Sequence, residues 1–291
     1  MGSMGRFASA FAFLFVLAIV LVSAGCGQRF DDAGGTPPTQ ARLAADALTA
    51  LEAEGSAHVV LDAEAGAVIG TEDTQLDVHF EGDVSSSALV GDATVAFPGA
   101  TLGARLEMSK HELNVRFAGQ WYHADAAGIQ DALAKANEGS GPLLTELMSA
   151  SGFGRVFDDL FTGQVNEGPV LDGVHTWQFE GRLDAETIVR YLKEYAHVDL
   201  SENDRQLLQK VAETSHVVLI AGQVDHLPRK VELTLVPPKG LSFDSDLMRE
   251  SSGTFTLSLE LSDFGKDVSF ETPKDAEPLS GLFEQLFGTL G

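Results

Sequence analysis

A single cysteine, Cys26, stands in the 291 residues, so no disulfide can form within the chain. Basic residues are also scarce: 19 Lys and Arg face 43 Asp and Glu, a formal net charge of -24. A field of that sign repels nucleic acid phosphates and anionic lipid headgroups, which excludes both as ordinary surface partners. Catalytic signatures are missing too. No Gly-x-Ser-x-Gly elbow occurs, and the lone thiol has no partner for nucleophilic chemistry. Gly152-Phe153-Gly154 follows a helical stretch rather than a strand, so it reads as a turn and not as a phosphate cradle. The histidines His58, His79, His111, His123, His175, His197, His216 and His226 are scattered singly, without the paired helical spacing of a zinc site; His123 with Asp125 comes nearest. Neighbouring acids such as Asp158-Asp159 arise from composition alone in so acidic a chain and read as solvation. No enzyme, metal or cofactor is expected.

Only one stretch is long and uncharged. Arg6 opens a positive start, Ala8 to Val22 is rich in Phe, Leu and Val, and Ser23-Ala24-Gly25 precede Cys26. Residues 1–25 therefore read as a signal peptide, too short for a comfortable membrane span. Small residues before the sole cysteine have the form of a lipobox, with Ser23 where Leu or Val is usual. The expected product carries diacylglycerol and acyl groups such as palmitate on Cys26, which hold it to the extracytoplasmic face of a cell membrane. Loss of residues 1–25 removes Arg6 and no acid, taking the formal charge from -24 to -25. Residues 26–40 hold paired glycines and paired prolines without apolar periodicity, a flexible tether. Residues 41–291 are left as a single domain.

Within that domain Leu43, Ala44, Ala47, Leu48 and Leu51 form a helical stripe over Ala41–Ala53, stopped by Gly55. From there to Asp125 the period is two: Leu76, Val78, Phe80; Leu89, Ala93, Val95, Phe97; Leu102, Ala104, Leu106, Met108; and Leu113, Val115, Phe117 alternate with polar residues. Helices are expected over Ala126–Ala136, Pro142–Ala150 and Phe153–Phe161, then a strand over Val174–Gly181. Asp184 and Ser201 cap two further helices, through Tyr195 and Glu213. Strands return at His216–Val224, Lys230–Val236, Gly253–Ser262 and Val268–Phe270. A last helix carries Leu279, Leu282, Phe283, Leu286, Phe287 and Leu290 on one stripe, best docked over the sheet. Grouped strands with helices between the groups give an α+β domain: a large antiparallel sheet of nine or so strands with helices packed on its apolar face.

Three stretches, EGPVLDGVHTWQFEGRLDAETIVRYL, VVLIAGQVDHLPRKVELTL and FTLSLELSDFGKDVSFETP, resemble the LppX/LprG-type lipoproteins of actinobacteria. That family has a strand with D-G-V-x-T leading to an Asp-capped helix, a hairpin with D-x-x-x-L-P-R-K, and a strand ending S-D-F/Y-G-K, here in the same order. NVRFAGQWYHAD is similar to the family's strand with Trp before its first inserted helices. These are turn and core residues, with Trp121 and Trp177 expected within the sheet. The resemblance implies a strongly curved sheet, a half barrel similar to the LolA/LolB carriers, with helices on its concave apolar face and acyl chains held in an apolar cavity. It implies a lipid or glycolipid as cargo, an envelope transporter as partner, and carriage across the envelope.

The candidate lining is Leu76, Val78, Phe80, Val95, Phe97, Leu106, Val115, Phe117, Leu257 and Leu259. Each of these also suits a plain core. An envelope sensor or protein-interaction lipoprotein with a filled core is the alternative from another class.

Overall fold

The computed structural model describes residues 35–69, 72–109, 111–125, 150–195, 199–236, 254–279 and 281–282. Helix α1, Gln40–Glu54, begins where the Thr39 hydroxyl accepts from the Arg42 amide, and ends at Gly55, whose φ of 76° places it in the left-handed region. Leu43, Ala44, Ala47, Leu48 and Leu51 are buried, as the stripe requires.

Twelve strands follow among the described residues: β1 Ser56–Ile69, β2 Glu72–Ser85, β3 Ala88–Phe97, β4 Ala100–Ser109, β5 Glu112–Phe117, β6 Gln120–Asp125, β7 Phe161–Glu167, β8 Thr176–Leu183, β9 His216–Gly222, β10 Pro228–Leu235, β11 Phe255–Ser262 and β12 Glu277–Pro278. They form one sheet in the order β12-β6-β5-β4-β3-β2-β1-β11-β10-β9-β8-β7. Every pairing is antiparallel except that of β12 with β6. The sheet is open and curved, with β1 to β6 as a hairpin meander on one side and β7 to β11 on the other. Local pairing accounts for the meander, since each strand lies beside its sequence neighbour.

Helix α2, Ala150–Leu160, is followed directly by β7. The helix expected over Phe153–Phe161 therefore starts earlier and stops one residue sooner, and Phe161 opens a strand. Gly152 and Gly154 lie inside α2 rather than in a turn. A Cβ on Gly154 would sit 2.5 Å from the Ala41 carbonyl oxygen and 2.9 Å from the Ala45 methyl. Glycine is there because the backbones of α1 and α2 touch. Helix α3, Ala185–Tyr195, is capped by the Asp184 carboxylate, which accepts from the Thr187 amide at 2.7 Å. Helix α4, Glu202–Glu213, opens on a capping box between Ser201 and Asp204.

Other expectations shift. Val268–Phe270 has no regular structure, and β9 ends at Gly222, where the chain turns into the β9–β10 hairpin. The helices expected over 126–136 and 142–150 lie outside the described residues apart from residue 150, which opens α2, and so does the C-terminal stripe beyond Leu282. Leu282 itself is buried against Val115 and Tyr122, which is the docking expected for the start of that stripe. Trp177 is buried and Trp121 is half-buried.

Candidate functional site

Strand register puts the apolar side chains of the sheet into rows on one face. Leu233, Leu257, Ala63, Val78, Val95 and Leu102 stand opposite one another from β10 across to β4. The next row runs Val231, Leu259, Leu61, Phe80, Ala93, Ala104 and Phe117. A third brings together Leu106, Val115 and Tyr122. Because side chains alternate between faces along a strand, all ten candidate residues share this face.

They do not share one environment. Phe80 and Leu259 belong to the main core, and Val115 to a smaller core with Tyr122 and Leu282. Leu76, Val78, Val95, Leu106, Phe117 and Leu257 are half-buried, and Phe97 is 41% exposed. Leu102, a strand residue outside the candidate set, is 39% exposed beside Val95. Its apolar character at an alternating position was the signal that could have added it.

What fills the other half of the face is α1 and α2. Leu43, Leu48 and Leu51 of α1 and Phe153, Val156 and Phe157 of α2 lie in one cluster with Phe179, Val217 and Leu219. The Phe157 ring meets Phe179 edge-on at 5.0 Å and Phe161 at 4.7 Å. Two aromatic rings are seated on paired glycines, one in each half. Phe80 overlies Gly82 and Gly91, and Phe179 overlies Gly163 and Gly181; in all four cases an added Cβ would come within 3.0 Å of the ring.

Polar groups take much of the opposite face, where β9 also buries Val218 and Ile220. His58 Nδ1 lies 2.8 Å from Asp83, and His79 Nδ1 lies 2.7 Å from Asp62, both across the β1–β2 pair. His123 pairs with Asn114 at 2.9 Å rather than with Asp125. Asp159 is no idle solvating acid: it accepts from the Tyr191 hydroxyl at 3.1 Å and from Arg190 at 3.3 Å, tying α2 to α3. Lys230 has its pKa raised, chiefly by its hydrogen bond to Glu232 and also by Glu260, and Arg105 likewise by Glu107. Among the described residues no three His, Cys, Asp or Glu side chains gather as metal ligands. The grooves found among them are shallow: one, lined by Gln75, Asp77, Ala96, Phe97 and Pro98, lies at the β3–β4 turn, and another crosses the polar side of β7 to β9. No helix there is long and apolar enough to cross a membrane.

No family model matches the chain, and no curated protein matches it. Among solved structures it is similar to the lipoprotein LppX of Mycobacterium tuberculosis, at 14% identity over 81% of this chain and 100% of that one, with a TM-score of 0.42. It is similar also to LprF from Mycobacterium bovis, at 14% identity over 82% and 99% of the two chains, with a TM-score of 0.35. A LolA superfamily protein from Nitrosomonas europaea matches at 12% identity over 81% and 96%, with a TM-score of 0.22. The sheet described above rests on its own strand pairing.

Proposed function

We propose that this chain is an envelope lipoprotein, anchored through acylated Cys26, that holds the acyl chains of a lipid or glycolipid against the uncovered part of its apolar face and carries them across the envelope. One observation supports the reading most. The rows through Val78, Val95, Leu106 and Phe117 are contiguous and apolar, yet only partly buried, and beside them stand the more exposed Phe97 and Leu102. A contiguous apolar patch of this kind marks a binding surface more often than it marks a finished core.

Solvation supplies the mechanism. A lipid with about 30 methylenes would expose each to water at a cost of roughly 0.8 kcal/mol, so unaided passage through an aqueous layer is negligible. An apolar face replaces that exposure. Relative to the bilayer the exchange is nearly neutral, because both surroundings are apolar, so loading and unloading can both proceed. An envelope transporter would then be the natural donor or acceptor.

The test is native mass spectrometry of the mature chain carrying Cys26→Ser, purified from its own host, followed by organic extraction. Adduct masses matching acyl lipids, released on extraction, are the expected result. Repeated recovery of bare protein would sink the proposal. It would favour instead a sensor or protein-interaction lipoprotein, the role that best suits the densely packed half beneath α1 and α2.

A further inference from the structure

We infer that β7, the free edge of the sheet, pairs antiparallel with β7 of a second copy of this chain, about a two-fold axis at Gln164 that joins the two sheets into one. The inference does not depend on what the apolar face holds.

The two edges of the sheet are finished differently. On one, β12 covers β6 with two residues, and the second of them is Pro278, which has no N–H to offer a further strand. On the other, β7 runs for 7 residues in unbroken register with β8. Three bonds fix where its backbone groups point. The Asp184 amide donates to the Leu160 carbonyl at 2.8 Å and the Gly168 amide to the Thr176 carbonyl at 2.9 Å, so the residues of that parity, Thr162, Gln164 and Asn166, turn toward β8. The Phe161 carbonyl accepts from the Gln40 side chain at 2.7 Å, so Phe161, and with it Gly163, Val165 and Glu167, turns away from β8. Among the described residues no strand pairs with those outward groups. Thr162, Gly163, Gln164, Asn166 and Glu167 are exposed. The strand has no proline, lysine or bulge, the usual means of blunting an edge.

A second copy suits this edge because β7 reads back onto itself. Pairing at the edge must match outward residues with outward residues, and of the registers that do so the one centred on Gln164 overlaps the whole strand. Gly163 then exchanges both backbone bonds with Val165 of the second copy, Phe161 lies across from Glu167, Thr162 across from Asn166, and Gln164 across from its own copy. On the apolar face each Val165 stands across from a glycine, beside the Phe179 ring that overlies Gly163. On the polar face the side chains that meet are amides and a hydroxyl, which both donate and accept. Glu167 is the only charge in the strand, and it does not meet its own copy. That decides the matter in a chain of net charge -24. Glu180, beside Gln164, would be three strand spacings from its copy, roughly 14 Å, beyond the Debye length of about 8 Å at physiological salt. The interface is isologous, so it closes on two copies and builds no fibre.

The lipid anchor proposed above is compatible with this pairing. The chain enters α1 beside Phe161, and the two Phe161 residues would lie about 20 Å apart along the paired strands. Each tether has 14 steps from Cys26 to Gln40 and spans at most about 46–50 Å. Both anchors therefore reach one leaflet.

The experiment uses the mature chain with Cys26→Ser, which leaves no thiol, and adds one cysteine at a time. Gln164→Cys puts two thiols across a non-hydrogen-bonded pair, where the Cα atoms lie about 4.5 Å apart and a disulfide closes without moving the backbone. Oxidation with copper phenanthroline should then give a covalent dimer in high yield. Thr162→Cys alone and Asn166→Cys alone should give severalfold less, and a mixture of those two should recover it. In sedimentation velocity Gln164→Lys should abolish the dimer by setting like charges opposite, and mixing it with Gln164→Glu should restore one, with circular dichroism unchanged throughout. Equal yields at residues 162, 164 and 166, no covalent dimer at 164, or a monomer at every concentration overturns the inference. A residue-164 thiol that links only to a different polypeptide in the host envelope also overturns it, and gives the edge to a foreign strand.

Discussion

Strands β8 and β9 and strands β3 and β4 are parts of one sheet, yet the apolar faces they share end in different states. Phe179 and Ala221 are at 0% exposure and Val217 and Leu219 at 3% and 4%, whereas Val95 and Leu106 are half-buried and Phe97 and Leu102 stand at 41% and 39%. The cause is coverage, not composition. Helix α1 lies against β1 and β7 to β10, and α2 lies against α1 and β7. Among the described residues no helix makes comparable contact with β3 or β4. Alternation therefore tells which face of a strand is apolar, and the path of the connecting helices tells whether that face becomes core.

If the contrast is one of core against binding surface, truncations should separate the two halves by several kcal/mol. Phe179→Ala empties a site enclosed by Phe157 and by the glycines beneath the ring, and should cost about 3–5 kcal/mol in urea unfolding. A loss under 1 kcal/mol would mean that the filled half is not what holds the fold. Gly154→Val attacks the same half by overfilling it. The added side chain meets the Ala41 carbonyl, which is backbone and cannot rotate aside, so the cost should be about 1–3 kcal/mol or more. Leu102→Asp probes the other half. Its stability should stay within about 0.5 kcal/mol of the parent, as for surface substitutions generally, while acyl occupancy in native mass spectra falls severalfold. Full occupancy with an intact fold would remove Leu102 from the binding face.

The same contrast marks how far the amino-acid sequence can be read. The meander, the apolar stripe of α1 with its stop at Gly55 and the caps at Asp184 and Ser201 are local matters of period and hydrogen bonding, and they are legible; the Thr39 cap, two residues before the expected start at Ala41, is not. Strand β7 is not. Its Thr162, Gly163, Gln164 and Asn166 give it one weakly apolar face, and Phe161 continues the spacing of Phe153 and Phe157 so well that a helix looks unbroken. Gly154 misleads in the same way, because the need for it lies in Ala41 and Ala45, more than a hundred residues earlier. Of the candidate lining, the shared face is a consequence of parity and could be read. The division into Phe80, Leu259 and Val115 as core, Val78 and Val95 as partly buried and Phe97 as exposed could not, since it depends on where α1, α2 and Leu282 come to rest.

The smallest effect concerns α1, the element on which the filled half depends. Glu52 lies in its last turn, and partial burial raises its pKa above the ordinary glutamate value. A carboxyl whose folded pKa exceeds its unfolded pKa binds more protons in the native state, so its contribution to stability declines as pH rises through that interval. Its negative charge at a helix C-terminus adds to the penalty above it. Glu52→Gln should therefore stabilise the protein by a few tenths of a kcal/mol at pH 7, discounted for solvent screening, and by nothing at pH 3, where the parent side chain is already neutral. Chemical denaturation at the two pH values checks this. Equal effects at both would assign the gain to packing of the amide rather than to loss of charge, and α1 would then be held by shape alone at its C-terminal end.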